Sequence, residues 1–114
     1  MSLDAGKLRH RVRFERLVNT RDSEGVLQPE WQTAFTTMAA IEPLSAREFI
    51  QAAAGQSEVT GRLTIRYRDG ITAAMRIVHV KRGTVYNIQG LLPDKESGIE
   101  YLTIPVSTGV GSGQ

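Results

Sequence analysis

The sequence contains no cysteine among its 114 residues. Disulfide bonds, zinc sites built from thiolates and a cysteine nucleophile are therefore excluded. The two histidines, His10 and His79, both fall in predicted strands and do not have the spacing of metal ligands. We interpret each as a histidine at the surface or at the edge of the core, and we expect no metal site.

Aromatic residues are also few, at 6% of the chain. Proteins that bind single-stranded nucleic acid need exposed rings among basic residues, because the bases stack on them. Here Tyr67 and Tyr86 lie in phase with apolar neighbours, and only Tyr101 is predicted to point outward. Trp31, the sole tryptophan, begins a predicted strand and is expected to plug or cover the core. A dedicated oligonucleotide-binding surface is therefore disfavoured.

The chain offers no set of residues from which an active site could be assembled. It has no glycine-rich phosphate loop between a strand and a helix. Its carboxylates fall in loops and in one helix, where nothing pairs them for acid–base chemistry. We therefore expect a protein that is not an enzyme, with no catalytic residues and no cofactor. Long apolar runs and a secretory signal are missing too, which predicts a soluble cytoplasmic protein with no membrane partner.

The most prominent pattern that is present is a pair of basic stripes along two predicted strands. Alternate residues of an extended strand face opposite sides of a sheet. In the first strand one face is apolar and the other carries Arg9, Arg11 and Arg13, and residues 62–68 repeat the design with Arg62, Arg66 and Arg68. The 14 basic residues are nearly balanced by 12 acidic ones, for a net charge of +2. The protein is thus uneven in charge rather than strongly basic, which favours recognition through patches.

The remaining periodicity predicts six short strands and one helix. Residues 19–30 read as a surface loop, and Ser45 with Glu48 forms a capping box that opens a helix over 46–54. Without βαβ alternation, the pattern predicts a mainly β fold, a small antiparallel β-barrel or sandwich with one short inserted helix. We expect a single domain over 1–114 with flexible ends at about 1–7 and 107–114. The predicted interior consists of Val12, Phe14, Leu63, Ile65, Tyr67, Ile77, Ile88, Leu102 and Ile104.

The order of several short motifs resembles one protein family. The motifs are GKLRHRV at 6–12, Trp31, AAIEP at 39–43, SARE at 45–48, LTIRYRDGI at 63–71 and YNI at 86–88. Together they are similar to the head–tail joining, or head closure, proteins of long-tailed bacteriophages and prophages, over about residues 6–106. Met38 departs from the pattern, because family members often have a bulky aromatic residue at this point.

This resemblance implies a structural protein of the virion neck with no catalytic site. Family members form a small β-barrel that assembles into a ring beneath the portal and its adaptor, continues the DNA channel and docks the tail. The segment between the second and third strands, here residues 44–60, reaches the lumen in some relatives. The candidate channel residues are therefore Arg47, Glu48, Gln51, Gln56 and Glu58. The six stripe arginines, Arg9, Arg11, Arg13, Arg62, Arg66 and Arg68, are the candidate contacts between subunits.

Two alternatives remain open from the sequence. A small β-barrel that binds nucleic acid without sequence preference would use the stripe arginines as phosphate contacts. Another ring component of the neck or tail, such as a tail terminator, would share the same barrel. Under the favoured hypothesis, DNA passes through the ring with only weak, non-specific contact.

Overall fold

The computed structural model describes residues 5–94, 98 and 100–108, and these form a mainly β fold, as predicted. A 3₁₀ turn at Ala5–Lys7 precedes the first strand. The strands are β1 (His10–Arg21), β2 (Leu27–Pro43), β3 (Gly61–Arg66), β4 (Arg76–His79), β5 (Val85–Ile88), β6 (Leu92–Pro93) and β7 (Tyr101–Thr108). The single α-helix of the described residues, α1 (Ala46–Ala54), lies between β2 and β3.

The strands form one antiparallel sheet that closes on itself. Their order is β3-β2-β1-β4-β5-β7-β6, and β3 also pairs with β7, from Gly61 opposite Val106 to Arg66 opposite Tyr101. Six strands therefore make a closed ring, and the two-residue β6 pairs with β7 beside it. A glycine is needed at position 61, because a Cβ there would lie 2.9 Å from the backbone oxygen of Glu42.

The interior of the ring confirms the predicted period-two pattern. Eight of the nine predicted core residues are buried: Val12, Phe14, Leu63, Ile65, Ile77, Ile88, Leu102 and Ile104. The ninth, Tyr67, is half-buried against the same cluster, and its hydroxyl donates a hydrogen bond to Asp69. Phe14 stacks on Phe35 with 4.6 Å between ring centroids. Burying one face of each strand also fixes the register, since a slip of one residue would expose that face.

The predicted loop at 19–30 is wrong, because most of it is strand. β1 continues to Arg21, and β2 begins at Leu27. Asp22 stabilises the turn between them, because its carboxylate accepts hydrogen bonds from the backbone N–H groups of Glu24 and Val26. Turn-forming residues occupy only the tip, and the polar composition around them reflects exposure rather than irregular structure.

The extra length of β1 and β2 produces a projecting two-stranded arm, residues 16–32. β4 pairs with β1 only as far as Glu15, and β3 pairs with β2 only from Ala39. A β-bulge at Ala34 marks the base of the arm, since Phe14 lies opposite Phe35 but Glu15 lies opposite Thr33. The arm elongates the molecule to 53 × 32 × 25 Å.

The helix α1 begins and ends where the sequence predicts. The backbone N–H of Glu48 donates to the Ser45 hydroxyl (3.2 Å), and the backbone N–H of Ser45 donates to the Glu48 carboxylate (3.1 Å). This reciprocal pair satisfies two N–H groups that the first helical turn would leave without partners. Of the chain ends predicted to be flexible, residues 1–4 and 109–114 lie outside the described residues, whereas 107 and 108 belong to β7.

We expect Phe14→Ala to lower the free energy of unfolding by about 3–5 kcal/mol, because it removes a fully buried ring from the centre of the core. Phe49→Ala is the matched control, since that ring is 55% exposed, and it should change stability by no more than about 0.5 kcal/mol. Urea denaturation of the two variants measures the difference. Equal stabilities would show that the two faces of β1 have been assigned wrongly.

Candidate assembly interface

The closed sheet brings the two basic stripes onto one outer wall. Arg11 on β1 lies opposite Met38 on β2. Where β2 pairs with β3, Ala39 lies opposite Ile65, so the preceding residue, Met38, lies beside Arg66. These three exposed residues therefore form a row across the outside of β1, β2 and β3. We call the outer surface of these strands the basic wall. The sequence predicts each stripe, but only the pairing of β2 with both strands places them side by side.

Most of the candidate contact arginines already have partners within the chain. Arg13 binds Glu15 at 2.8 Å, and Arg62 binds Glu42 at 2.5 Å and also Glu48. The guanidinium of Arg66 lies 5.8 Å from the ring centroid of Tyr101, and that of Arg68 lies 3.9 Å from the centroid of Phe35. Arg9 and Arg11 are exposed and form no ion pair within the described part of the chain.

A buried carboxylate anchors the basic wall near the base of the arm. Glu15 is 6% exposed and accepts hydrogen bonds from Arg13 and from Arg76, each at 2.8 Å. Burial alone would raise the pKa of Glu15, but the hydrogen bonds and charges of Arg76 and Arg13 outweigh it and lower this pKa. Arg76 also lies over the ring of Trp31, at 4.3 Å from its centroid.

This arrangement corrects the expectation for Trp31 and refines the one for Tyr101. Trp31 does not plug the core, because it is half-buried under Arg76 on the outer face of the sheet. Tyr101 does face outward, but it is only 8% exposed, so it offers no stacking surface for a base. Rings at the surface of this fold thus serve as platforms for arginine side chains.

The candidate channel segment, residues 44–60, is tied to the sheet by one arginine. Arg62 bridges Glu42 on β2 and Glu48 on α1, and the acidic partners, Glu42 first, raise its pKa. The pKa of Glu48 is lowered, first by the backbone N–H of Ser45 and then by the Ser45 hydroxyl and Arg62. Glu48 is therefore a structural residue of the helix start, rather than a free charge.

The other four candidate channel residues are exposed. Arg47 and Gln51 are four positions apart and share one flank of α1, whereas Gln56 and Glu58 follow the helix. Gln56 has a left-handed backbone (φ 62°), and its N–H donates to the carbonyl of Ala53. The structure thus brings Arg47 and Gln51 together and leaves Gln56 and Glu58 beyond the helix end.

A cavity of about 380 Å³ opens at the same end of the closed sheet as α1. We call it the end cavity. Its apolar walls come from Ile41, Pro43, Tyr86 and Val106, and its polar lining includes His10, Glu42, Arg62 and Arg82. The period-two pattern did not indicate this cavity, because its lining comes from five strands, β1, β2, β3, β5 and β7, that meet only in the closed sheet.

The two histidines meet beside the end cavity. The Nδ1 atom of His10 lies 3.2 Å from Nε2 of His79, and Nδ1 of His79 accepts the backbone N–H of Arg82. His79 therefore carries its proton on Nε2 and donates it to His10. Burial first, and then the nearby charges of His10, Arg82 and Lys81, lower the pKa of His79. Within the described residues, no group of three or more potential metal ligands includes this pair.

The geometry defines a class of protein: a small closed β-sheet with a projecting arm, an exposed helix and a basic outer wall. The sequence profile of the phage head completion protein family matches residues 3–109. The chain therefore belongs to that family, which confirms the resemblance of its motifs to head closure proteins.

Two solved structures are similar to this chain. The solution structure of protein SF1141 from Shigella flexneri 2a is 33% identical, with a TM-score of 0.74 over 95% of this chain and 98% of that one. A chain from the virion of a native gene transfer agent particle is 14% identical, with a TM-score of 0.57 over 91% of this chain and 97% of that one, and shares the fold. No curated protein matches the chain significantly in sequence.

Family membership makes this protein a structural component of a phage particle, associated with other proteins of the particle. Its place is accordingly the virion, and its family is one of virion structural proteins. No helix in the described part of the chain combines the length and apolar character needed to cross a membrane.

We expect the melting temperature to fall as the pH is lowered from 7.5 to 5.5. The pKa of His79 is below its ordinary value in the folded protein, so the unfolded chain takes up a proton more readily once the pH drops through about 6.5. His79→Asn should flatten this dependence, since an amide oxygen can still accept the Arg82 N–H without titrating. Equal slopes for the two proteins, measured by calorimetry, would contradict the assignment.

Proposed function

We propose that this protein closes the phage head as a ring at the neck. In this function, copies of the chain assemble beneath the portal and adaptor, continue the DNA channel and present a docking surface to the tail. The proposal goes beyond membership in the family, which establishes only a structural component of the particle.

The observation that carries the proposal is apolar surface at both ends of the molecule that the fold itself leaves uncovered. Leu17 and Leu27 on the arm are 53% and 56% exposed, and Phe49 and Ile50 on α1 are 55% and 67% exposed. Small domains that act alone seldom project apolar side chains on an arm and a helix, whereas subunits of an assembly bury such side chains against neighbours.

The basic wall supports contact between subunits rather than DNA binding. Arg9 and Arg11 are exposed cations without an ion pair in the described part of the chain, and the arm of a neighbouring copy offers the exposed acids Glu24 and Glu30. Such pairs orient the partners, while apolar burial supplies most of the affinity. Arg13 and Arg62 contribute less, because each is already engaged by carboxylates of its own chain.

The polar flank of α1 suits the lining of a DNA channel. Arg47 and Gln51 present one positive charge and one neutral amide per copy, with Gln56 and Glu58 beyond them. A passage for DNA has to tolerate phosphates without holding them, and near neutrality along the lining meets that requirement. Other ring components of the neck or tail share this requirement, so the location in the particle separates them.

The decisive experiment is to add the purified protein to an isolated portal–adaptor complex and to image the product by electron microscopy. We expect a ring at the exit of the portal that continues its channel. A ring that forms only on tail tubes would instead assign the chain to the tail terminator. Failure to bind either complex would contradict the proposed function.

We expect the double variant Arg11→Glu/Arg66→Glu to remain folded but to fail to assemble on the portal–adaptor complex. Both side chains are exposed on the basic wall, so the reversal repels acidic partners without disturbing the core. Arg11→Lys/Arg66→Lys keeps both positive charges at the same positions and is the matched control, which should assemble normally. Normal assembly of the wall variant would remove the role of the basic wall.

We also expect the free protein to bind duplex or single-stranded DNA no more tightly than about 10⁻⁵ M near physiological salt. Fluorescence anisotropy with labelled oligonucleotides measures this affinity. Submicromolar binding that weakens by about 10³–10⁵ between 50 and 200 mM salt would indicate six or more phosphate contacts. That result would favour the nucleic-acid-binding alternative over the connector.

A further inference from the structure

The apolar stripe of α1 points away from the protein to which the helix belongs. Ala46, Phe49, Ile50 and Ala53 follow the i, i+3, i+4, i+7 pattern of a helix face that is normally buried. All four are exposed, and only Glu48 and Ala52 of the helix are partly covered. α1 is therefore attached to its own sheet by a polar edge, through Glu48 and Arg62.

A helix of this length needs packing that its own chain does not supply. Isolated helices shorter than about 12–15 residues are marginal in water, and α1 has nine residues. The capping box and the bridge from Arg62 hold its first turn, but no residue of α1 is buried. The apolar stripe is the surface through which a neighbour would complete the stabilisation.

The end cavity provides a matching surface on the same molecule. It lies at the end of the closed sheet where α1 lies, yet no described residue of α1 lines it. Its volume of about 380 Å³ falls in the range of sites that enclose small ligands. Walls from Ile41, Pro43, Tyr86 and Val106 therefore offer apolar space for the side chains of one helical turn.

The charges beside the two surfaces are complementary. Glu58 follows α1 and is exposed, whereas the charged residues that line the end cavity are Arg82 and the ion pair of Glu42 with Arg62. Glu58, Lys81 and Arg82 are exposed and form no ion pair within the described residues. A helix that entered a neighbour's cavity would thus bring the carboxylate of Glu58 towards the guanidinium of Arg82.

We propose that the apolar stripe of α1 packs into the end cavity of the next copy of this chain, with Phe49 and Ile50 as the inserted side chains. A patch that fits a different site on an identical molecule makes a head-to-tail contact, and repeated head-to-tail contacts form a ring when the rotation between neighbours closes. The inference rests on the proposed ring and deepens it, because it names the contact that joins the subunits.

Rotation about a ring axis keeps every copy at the same height along that axis. Surfaces that join neighbours therefore have to lie at matching heights, and α1 and the end cavity lie at the same end of the closed sheet. With the stripe against the neighbour and Glu48 against its own sheet, the remaining flank of α1, with Arg47 and Gln51, is left for the channel. The three sides of α1 would thus face the neighbouring copy, its own sheet and the channel.

The absence of cysteine permits a direct test by disulfide trapping. One protein carries Ile50→Cys on the helix, and a second carries Thr108→Cys at the mouth of the end cavity. Each has one thiol, so any disulfide joins two molecules. The mixture is assembled on the portal–adaptor complex, oxidised, and analysed on a non-reducing gel and by mass spectrometry of the linked peptides. The matched control replaces Thr108→Cys by Leu17→Cys on the arm, a position 53% exposed at the opposite end.

We expect the Ile50–Thr108 cross-link to exceed the control by at least about tenfold, because a specific contact raises the effective concentration of the two thiols. Rings that form without this cross-link would overturn the helix-in-cavity contact and leave the proposed function standing. A dominant link between two copies of Ile50→Cys would also overturn it, in favour of helix-to-helix packing. The cross-link in open chains that do not bind the portal complex would support the contact and contradict the ring at the neck.

Discussion

The structure depends above all on the pairing of β3 with β7. This ladder turns a seven-stranded sheet into a closed ring, so that the apolar faces of six strands enclose one core. Without it, two edges would be exposed and the interior would open to water. The neighbouring strands β2 and β3 also pack closely at Gly61, where a Cβ would clash with the backbone oxygen of Glu42.

Closure also determines which surfaces are left for partners. Because the ring exposes few free edges, assembly has to use what projects from it: the arm at one end and α1 at the other. The outer wall between them is basic, but its arginines are largely held by Glu15, Glu42, Glu48 and nearby rings. A modest net charge, with most of these arginines paired within the chain, fits a subunit that contacts proteins better than one that binds DNA tightly.

Much of the fold follows from the sequence, because local rules apply to it directly. Alternation in β1, β3 and β7 identifies the buried face, and the capping box with Gly55 sets both ends of α1. The polar composition of 19–30 is misleading, since strands in an exposed two-stranded arm have no buried face and show no apolar alternation. A strand is recognised in a sequence by the alternation that burial of one face produces, and the arm has no buried face.

The sequence by itself determined the strand faces, the helix and the two basic stripes, since each depends on residues a few positions apart. Only the tertiary structure decided that β2 sets the stripes on one wall, that Trp31 lies under Arg76, and that His10 meets His79. It also decided that α1 turns its apolar stripe away from its own sheet and that the end cavity opens beside it. These features depend on pairings between distant strands, which side-chain periodicity does not encode.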